Sequence, residues 1–440
     1  MIKRILFLIW FFLIPSLVLA RELTLKEAIE YALKNNLELK SFQSEIKAYE
    51  LEKEAMRGLY FPRFKIEEIF SKSNLPVQTF MFKLNQEDFS AKDFEIKRLN
   101  HPGSRANFET VLSIELPLWL GGKVQALNKV AEYRLKSAEN LYLRKEEEII
   151  GEVYQTYLWA VLAKESIKVS ETSIREAQEH YRIAKTRYES GLALLSDVYR
   201  AEVYLAKAEE SLKIAKNYYA IAKKQLKLLM NINLEDFEVV ELWEIPQVKV
   251  EEIKKIALLK RKDFQALESE IKAIKENYRV QLSENLPQIY AFSSYHLNDE
   301  KTPFGSDGRG YFLGIRLSWS FDLGLTVIKK AQAELKRALA LEEKYRYLKE
   351  KIFFEIDRAY ADYQNALEKL KSAEERVKAS QEMVRIIGLR YQNGLARMID
   401  LLDAQAQLDL ARLEKVEALK ACQEAYVQIL LAGGILRESL

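Results

Sequence analysis

The chain has 440 residues, with 68 Lys and Arg against 65 Asp and Glu, and one cysteine, Cys422. A charge so nearly balanced argues against nucleic-acid binding, and one cysteine excludes an internal disulfide. The three histidines, His101, His180 and His296, are far apart, and no Gly-rich nucleotide loop or metal-spaced cluster is present, so nothing points to an enzyme, a cofactor or a metal site.

The first element is an export signal. Lys3 and Arg4 precede an apolar run from Ile5 to Leu19, interrupted only by Pro15 and Ser16, and Val18-Leu19-Ala20 ends it. This pattern predicts a signal peptide over 1–20, cleaved after Ala20. The run is shorter than the roughly 18–20 residues of a spanning helix. Arg21 stands where a lipoprotein would carry cysteine. No later stretch is apolar enough for a membrane helix, so membrane entry requires a closed β-barrel, the other structure that satisfies its own backbone in lipid.

A first structural unit is expected over 21–230. It opens with a helix and continues with strands at about 61–71 and 106–119. In the second strand Phe108, Thr110, Leu112, Ile114, Leu116 and Leu118 alternate with Glu109, Ser113 and Glu115. That period of two gives one apolar and one polar face. The long segment between the strands, Ser71 to Arg105, reads as a polar loop. No proline lies between Pro117 and Pro246. A helix is predicted over about 123–189, and its 67 residues would span roughly 100 Å at 1.5 Å per residue. A turn at Gly191 and a further helix complete this half.

A linker over 231–250 leads to a second unit, 251–440. Strands are predicted at about 287–297 and 310–321, joined by a hairpin tip at Gly305-Ser306-Asp307-Gly308. A long helix follows at about 325–391, with an apolar stripe from Val327 through Ile352, Ile356 and Tyr363 to Val377 at alternating spacings of three and four. A turn at Gly394, another helix and a C-terminal segment close the chain.

The halves are copies. Ser44-Glu45-Ile46-Lys47-Ala48 recurs as Ser269-Glu270-Ile271-Lys272-Ala273, and Pro62 matches Pro287. Tyr188-x-x-Gly191-Leu192-Ala193 recurs as Tyr391-x-x-Gly394-Leu395-Ala396, with Asp197 matched by Asp400. Four strands cannot close a membrane barrel, whose observed minimum is about eight. The chain is therefore expected to oligomerise, and three copies supply twelve strands.

The ordered set of motifs resembles the TolC family of outer-membrane efflux proteins. The resemblance rests on the duplication, the strand-to-helix junction Leu116-Pro-Leu-Trp-Leu-Gly-Gly122 and the two Tyr-x-x-Gly…Asp turns. It implies an α+β membrane protein, a homotrimer with a twelve-stranded β-barrel continued by a long α-helical coiled-coil barrel. It further implies an outer-membrane location reaching into the periplasm, and a passive exit channel for tripartite efflux or type I secretion. The implied partners are a periplasmic adaptor (membrane fusion) protein and an inner-membrane pump of the RND or ABC type. Asp400 and Asp403 would ring the pore constriction, and Gly191 and Gly394 would form the tip turns. Asp197, Tyr391 and Arg397 would hold the tip closed, although the family's arginine falls on Ala396 here. The competing reading is a structural coiled-coil protein of the envelope, which would need neither the two-faced strands nor the duplicated turns.

Overall fold

The computed structural model describes residues 21–233, 236–241, 244, 245 and 247–439. The signal peptide expected over 1–20 lies outside them, as does part of the expected linker. In chain order the elements are β1 (Arg21–Leu23), α1 (Leu25–Asn35), α2 (Leu37–Gly58), β2 (Arg63–Ser73), α3 (Pro76–Asn85), α4 (Ile96–Asn100), β3 (Arg105–Leu120) and α5 (Lys123–Glu189). There follow α6 (Leu195–Met230), β4 (Phe237–Val239), α7 (Val250–Lys260), α8 (Lys262–Leu282), β5 (Gln288–Asp299), β6 (Gly308–Ser318), α9 (Thr326–Gln392), α10 (Met398–Gly433) and α11 (Leu436–Ser439). No helix among the described residues is long and apolar enough to cross a membrane.

Two compact units share these elements, and they cut across the two sequence repeats: one gathers residues 41–143 and 262–350, the other the remainder. Both α5 and α9 pass from one unit to the other.

The first unit holds a four-stranded antiparallel sheet ordered β2-β3-β5-β6. Pairing of Ile66 with Leu112, Leu112 with Tyr295 and Tyr295 with Tyr311 places one apolar row across all four strands. Alternation sends the neighbours to the other face, where Arg316 donates to Glu115 at 2.6 Å and Glu109 meets His296 at 2.9 Å. The apolar face is bare: Ile315 is 72% exposed. Both edges, β2 and β6, lack a neighbour in the sheet. The register shifts between Pro117 and Trp119. Proline donates no ladder hydrogen bond, and the extra residue returns Trp119 to the apolar face opposite Ile289.

Two details differ from the sequence reading. The last strand ends at Ser318 rather than near 321. Beyond it, the Trp319 indole N–H donates to Asn285 O at 3.0 Å, and the Asp322 carboxylate accepts from the backbone of Gly324, Thr326 and Val327, which starts α9 instead of prolonging the sheet. The segment expected as a polar loop contains α3, started by Pro76 at a position where a missing N–H costs nothing.

The second unit is built from helices. α1 begins with a capping box in which Thr24 and Glu27 satisfy each other's backbone N–H groups. β1 and β4 pair in parallel, Arg21 to Phe237 and Leu23 to Val239. The buried Tyr157 of α5 donates to Leu23 O at 2.8 Å and accepts from Val240 N at 2.8 Å. Ile352, Ile356, Ala359, Tyr363, Ala366, Leu370 and Ala373 of the α9 stripe are buried, and Ala418 and Cys422 of α10 pack on its lower part. Alanines at these positions let helix backbones approach closely.

Candidate functional site: the paired helical turns

α5 and α9 end in the same way. Leu192 N donates to Arg187 O at 2.8 Å and Gly191 N to Tyr188 O at 2.9 Å; Leu395 N donates to Arg390 O at 2.8 Å and Gly394 N to Tyr391 O at 3.0 Å. This double closure requires a left-handed residue just past the helix, and both Gly191 and Gly394 have φ +74°. The next helices begin alike too. Asp197 sits in the first turn of α6 and accepts from Leu194 N at 3.4 Å, and Asp400 sits in the first turn of α10 and accepts from Arg397 N at 3.0 Å.

The two turns pack into one apolar cluster comprising Ala184, Val198, Ala201, Tyr391, Met398, Leu401 and Leu402. Arg187 joins them. Its guanidinium donates to Gln392 O at 2.8 Å and lies 5.2 Å from the Tyr391 ring centroid. Tyr391 is buried, and its hydroxyl and Arg187 Nε have no hydrogen-bond partner among the described residues. Burial, and then the charge of Asp197, push the Tyr391 hydroxyl pKa up.

Arg397 pairs within its own turn, with Nη2 3.0 Å from Asp400 Oδ1. That contact, seconded by the backbone N–H, holds the Asp400 carboxyl below the usual carboxylate range. Asp403, one turn further along α10, is exposed. It lines a groove of about 560 Å³ with Tyr199, Val203, Tyr204 and Leu402. The structure thus packs Tyr391 with the starts of α6 and α10, and pairs Arg397 with Asp400 within one turn.

Sequence reasoning missed the polar layer behind the turns. Arg412 grips Glu176 through two bonds, at 2.8 and 3.1 Å. Buried Gln405 donates to Glu176 at 2.6 Å, and Tyr204 donates to Asp409 at 2.6 Å. Burial and the Asp409 carboxylate raise the Tyr204 pKa well above the ordinary phenol value. This network ties α5, α6 and α10 together. Arg187 was missed as well, although the repeat contained the signal: Arg187-Tyr188 is matched by Arg390-Tyr391 ahead of the second glycine. No group of three or more metal-ligating side chains occurs among the described residues.

The family model described as "Outer membrane efflux protein" matches residues 28–231 and 254–434. No curated protein sequence matches the chain. Among solved structures, VceC from Vibrio cholerae superposes with a TM-score of 0.78 at 16% identity, covering 93% of this chain and 96% of that one. CmeC from Campylobacter jejuni gives 0.78 at 18% identity over 94% and 86% of the two chains, and the open state of Neisseria gonorrhoeae MtrE gives 0.75 at 19% over 94% and 89%. The fold is that of the TolC-like channels.

Proposed function

The chain belongs to the outer membrane efflux protein family, and from the premise that it is an outer-membrane efflux channel we propose that it serves as the passive exit duct of a tripartite efflux or type I secretion system. The observation that carries the reading is the sheet. One face is apolar and bare, the other polar, and both edges are open. Open edges are not tolerated in lipid. Three copies close them into twelve strands, with the apolar faces to lipid and the Arg316–Glu115 and Glu109–His296 pairs toward water. Trp119, Trp319 and Phe321 sit at one end of the strands, where aromatic girdles meet the membrane interface.

The paired turns are the gate in this reading. Three copies set Asp400 and Asp403 into rings of carboxylate, which favour cations over anions. Arg187, Tyr391 and the Glu176–Arg412 layer hold the hairpins together in the closed state, with Asp197 available to a neighbouring copy. A periplasmic adaptor and an inner-membrane pump of the RND or ABC type engage the turns and supply the energy. A channel of this fold has an open state, as MtrE shows for itself.

Planar-bilayer recording of the reconstituted protein tests this. The expected wild-type behaviour is a small cation-selective conductance, and Asp400→Ala/Asp403→Ala should lose much of the selectivity. An unchanged reversal potential in the double variant would remove the carboxylate gate, and failure to form membrane-inserted trimers would return the structural coiled-coil reading.

A further inference from the structure

The segment between β2 and β3 folds back over the polar face of the sheet. Gln86 donates to Asn107 Oδ1 and to Ala106 O, both at 2.8 Å. Asn107 lies on the same face of β3 as Glu109, two residues on. At the opposite edge, a Cβ on Gly308 would fall 1.9 Å from the Asn85 carbonyl oxygen. Gly308 pairs with Asn298, which shares the polar face with His296. α3 therefore starts from the β2 edge and ends over β6, on the side carrying Glu109, His296 and Arg316.

One side of this helix is fixed from within the segment. Thr79 donates to Ser73 O at 3.2 Å, Lys83 Nζ lies 2.6 Å from Asp93 Oδ1, and the Phe80 ring meets Phe89 edge to face at 4.8 Å. The other side presents Val77, Met81 and Leu84, at helical spacings of four and three, which are 69%, 48% and 47% exposed. In a closed barrel this face looks into water, and the lipid lies on the other side of the strands. The stripe has no membrane to enter. α3 begins three residues past the end of β2, the open edge where another copy must join. Closure by three copies brings three identical stripes into one mouth around one axis.

We infer that the Val77–Met81–Leu84 stripe of α3 docks on the same stripe of the other two copies, forming an apolar seal within the barrel mouth. The inference rests on the three-copy reading proposed above. The seal is a second constriction, with a chemistry opposite to the carboxylate rings of the turns: it obstructs ions and hydrated solutes by dewetting and parts for a substrate that displaces the side chains.

Oxidative cross-linking in liposomes tests it. The full-length Met81→Cys protein, treated with copper-phenanthroline, should pass up to about two-thirds of its monomer band into a disulfide-linked dimer on a non-reducing gel, because three thiols around one axis form one disulfide and leave one chain unlinked. Lys301→Cys should stay monomeric, because its hairpin leans over the apolar face, where Phe304 N approaches Glu68 at 3.4 Å. The native Cys422 is buried and does not compete. Glutaraldehyde treatment of the same liposomes reports assembly independently. If the trimer is trapped and Met81→Cys remains monomeric, the seal is overturned, as it is if a lipid-partitioned maleimide labels that cysteine. If no trimer is trapped, the three-copy reading itself falls and takes the seal with it.

Discussion

The two glycine turns share a backbone and differ in chemistry. Each has glycine at φ +74°, the same pair of closing hydrogen bonds and an aspartate in the first turn of the next helix. In the second turn Arg397 locks Asp400 through backbone and side chain, and Tyr391 is 4% exposed. In the first, Leu194 stands in place of Arg397, Asp197 accepts a long backbone bond, and Tyr188 is 42% exposed. Arg187 reaches across to the second turn, whereas its counterpart Arg390 points outward. Duplication has kept what the reversal of the chain requires. What holds one hairpin to the other has diverged, so that one turn anchors and the other is left with groups to offer elsewhere.

The largest expected difference between the turns lies in their cores. Met398 is fully buried, while the matching Leu195 is 43% exposed. Met398→Ala should lower the opening free energy of the turn amides by about 2–5 kcal/mol, and Leu195→Ala should change it by no more than about 0.5 kcal/mol, both read by native-state hydrogen exchange. Equal losses would break the comparison. Arg187→Ala should cost about 1–2 kcal/mol by the same measurement, through the lost carbonyl bond and the cation–π contact, with Arg390→Ala near zero. The glycines should behave as equals. Alanine at Gly191 or Gly394 should cost about 1 kcal/mol each, because an L side chain is strained at that φ and a Cβ at Gly394 meets Arg187 at 3.8 Å, an ordinary contact.

The smallest effect in energy has the clearest sign. Arg397 depresses the Asp400 pKa, so their ionic contact stabilises the turn above the ordinary carboxylate pKa and is lost as pH falls through the lowered value. Arg397→Ala returns Asp400 toward the ordinary range. The pH at which cation selectivity is half lost, read from reversal potentials, should move upward.

The long helices were legible because their stripe is regular and its lower part is truly buried, from Ile352 to Ala373. The strands were legible because a two-sided solvent demands strict alternation. The end of the last strand was not, since Asp322 caps a helix three residues beyond a sequence that still alternates. α3 was hidden as well. It is short and is fixed by Gln86 and Asn107, partners that no local pattern announces. The three-residue strands β1 and β4 are too brief to show a period. Within the site, glycine and aspartate at a constant offset marked both turns. Nothing local singles out Arg187, because the carbonyl and the ring it meets, at Gln392 and Tyr391, lie on a hairpin far along the chain.

The parallel pair β1–β4 bears on how the chain folds. Arg21 to Leu23 come at the start of the described chain, yet they pair only with Phe237 to Val239, and Tyr157 clamps both. Parallel pairing at such separation must await loop closure, and is slow for that reason. A chain delivered from its N-terminus therefore carries an unpaired leading strand until both long arms of the first hairpin have arrived. That strand is where an exported intermediate would most need protection from proteases and from its own kind.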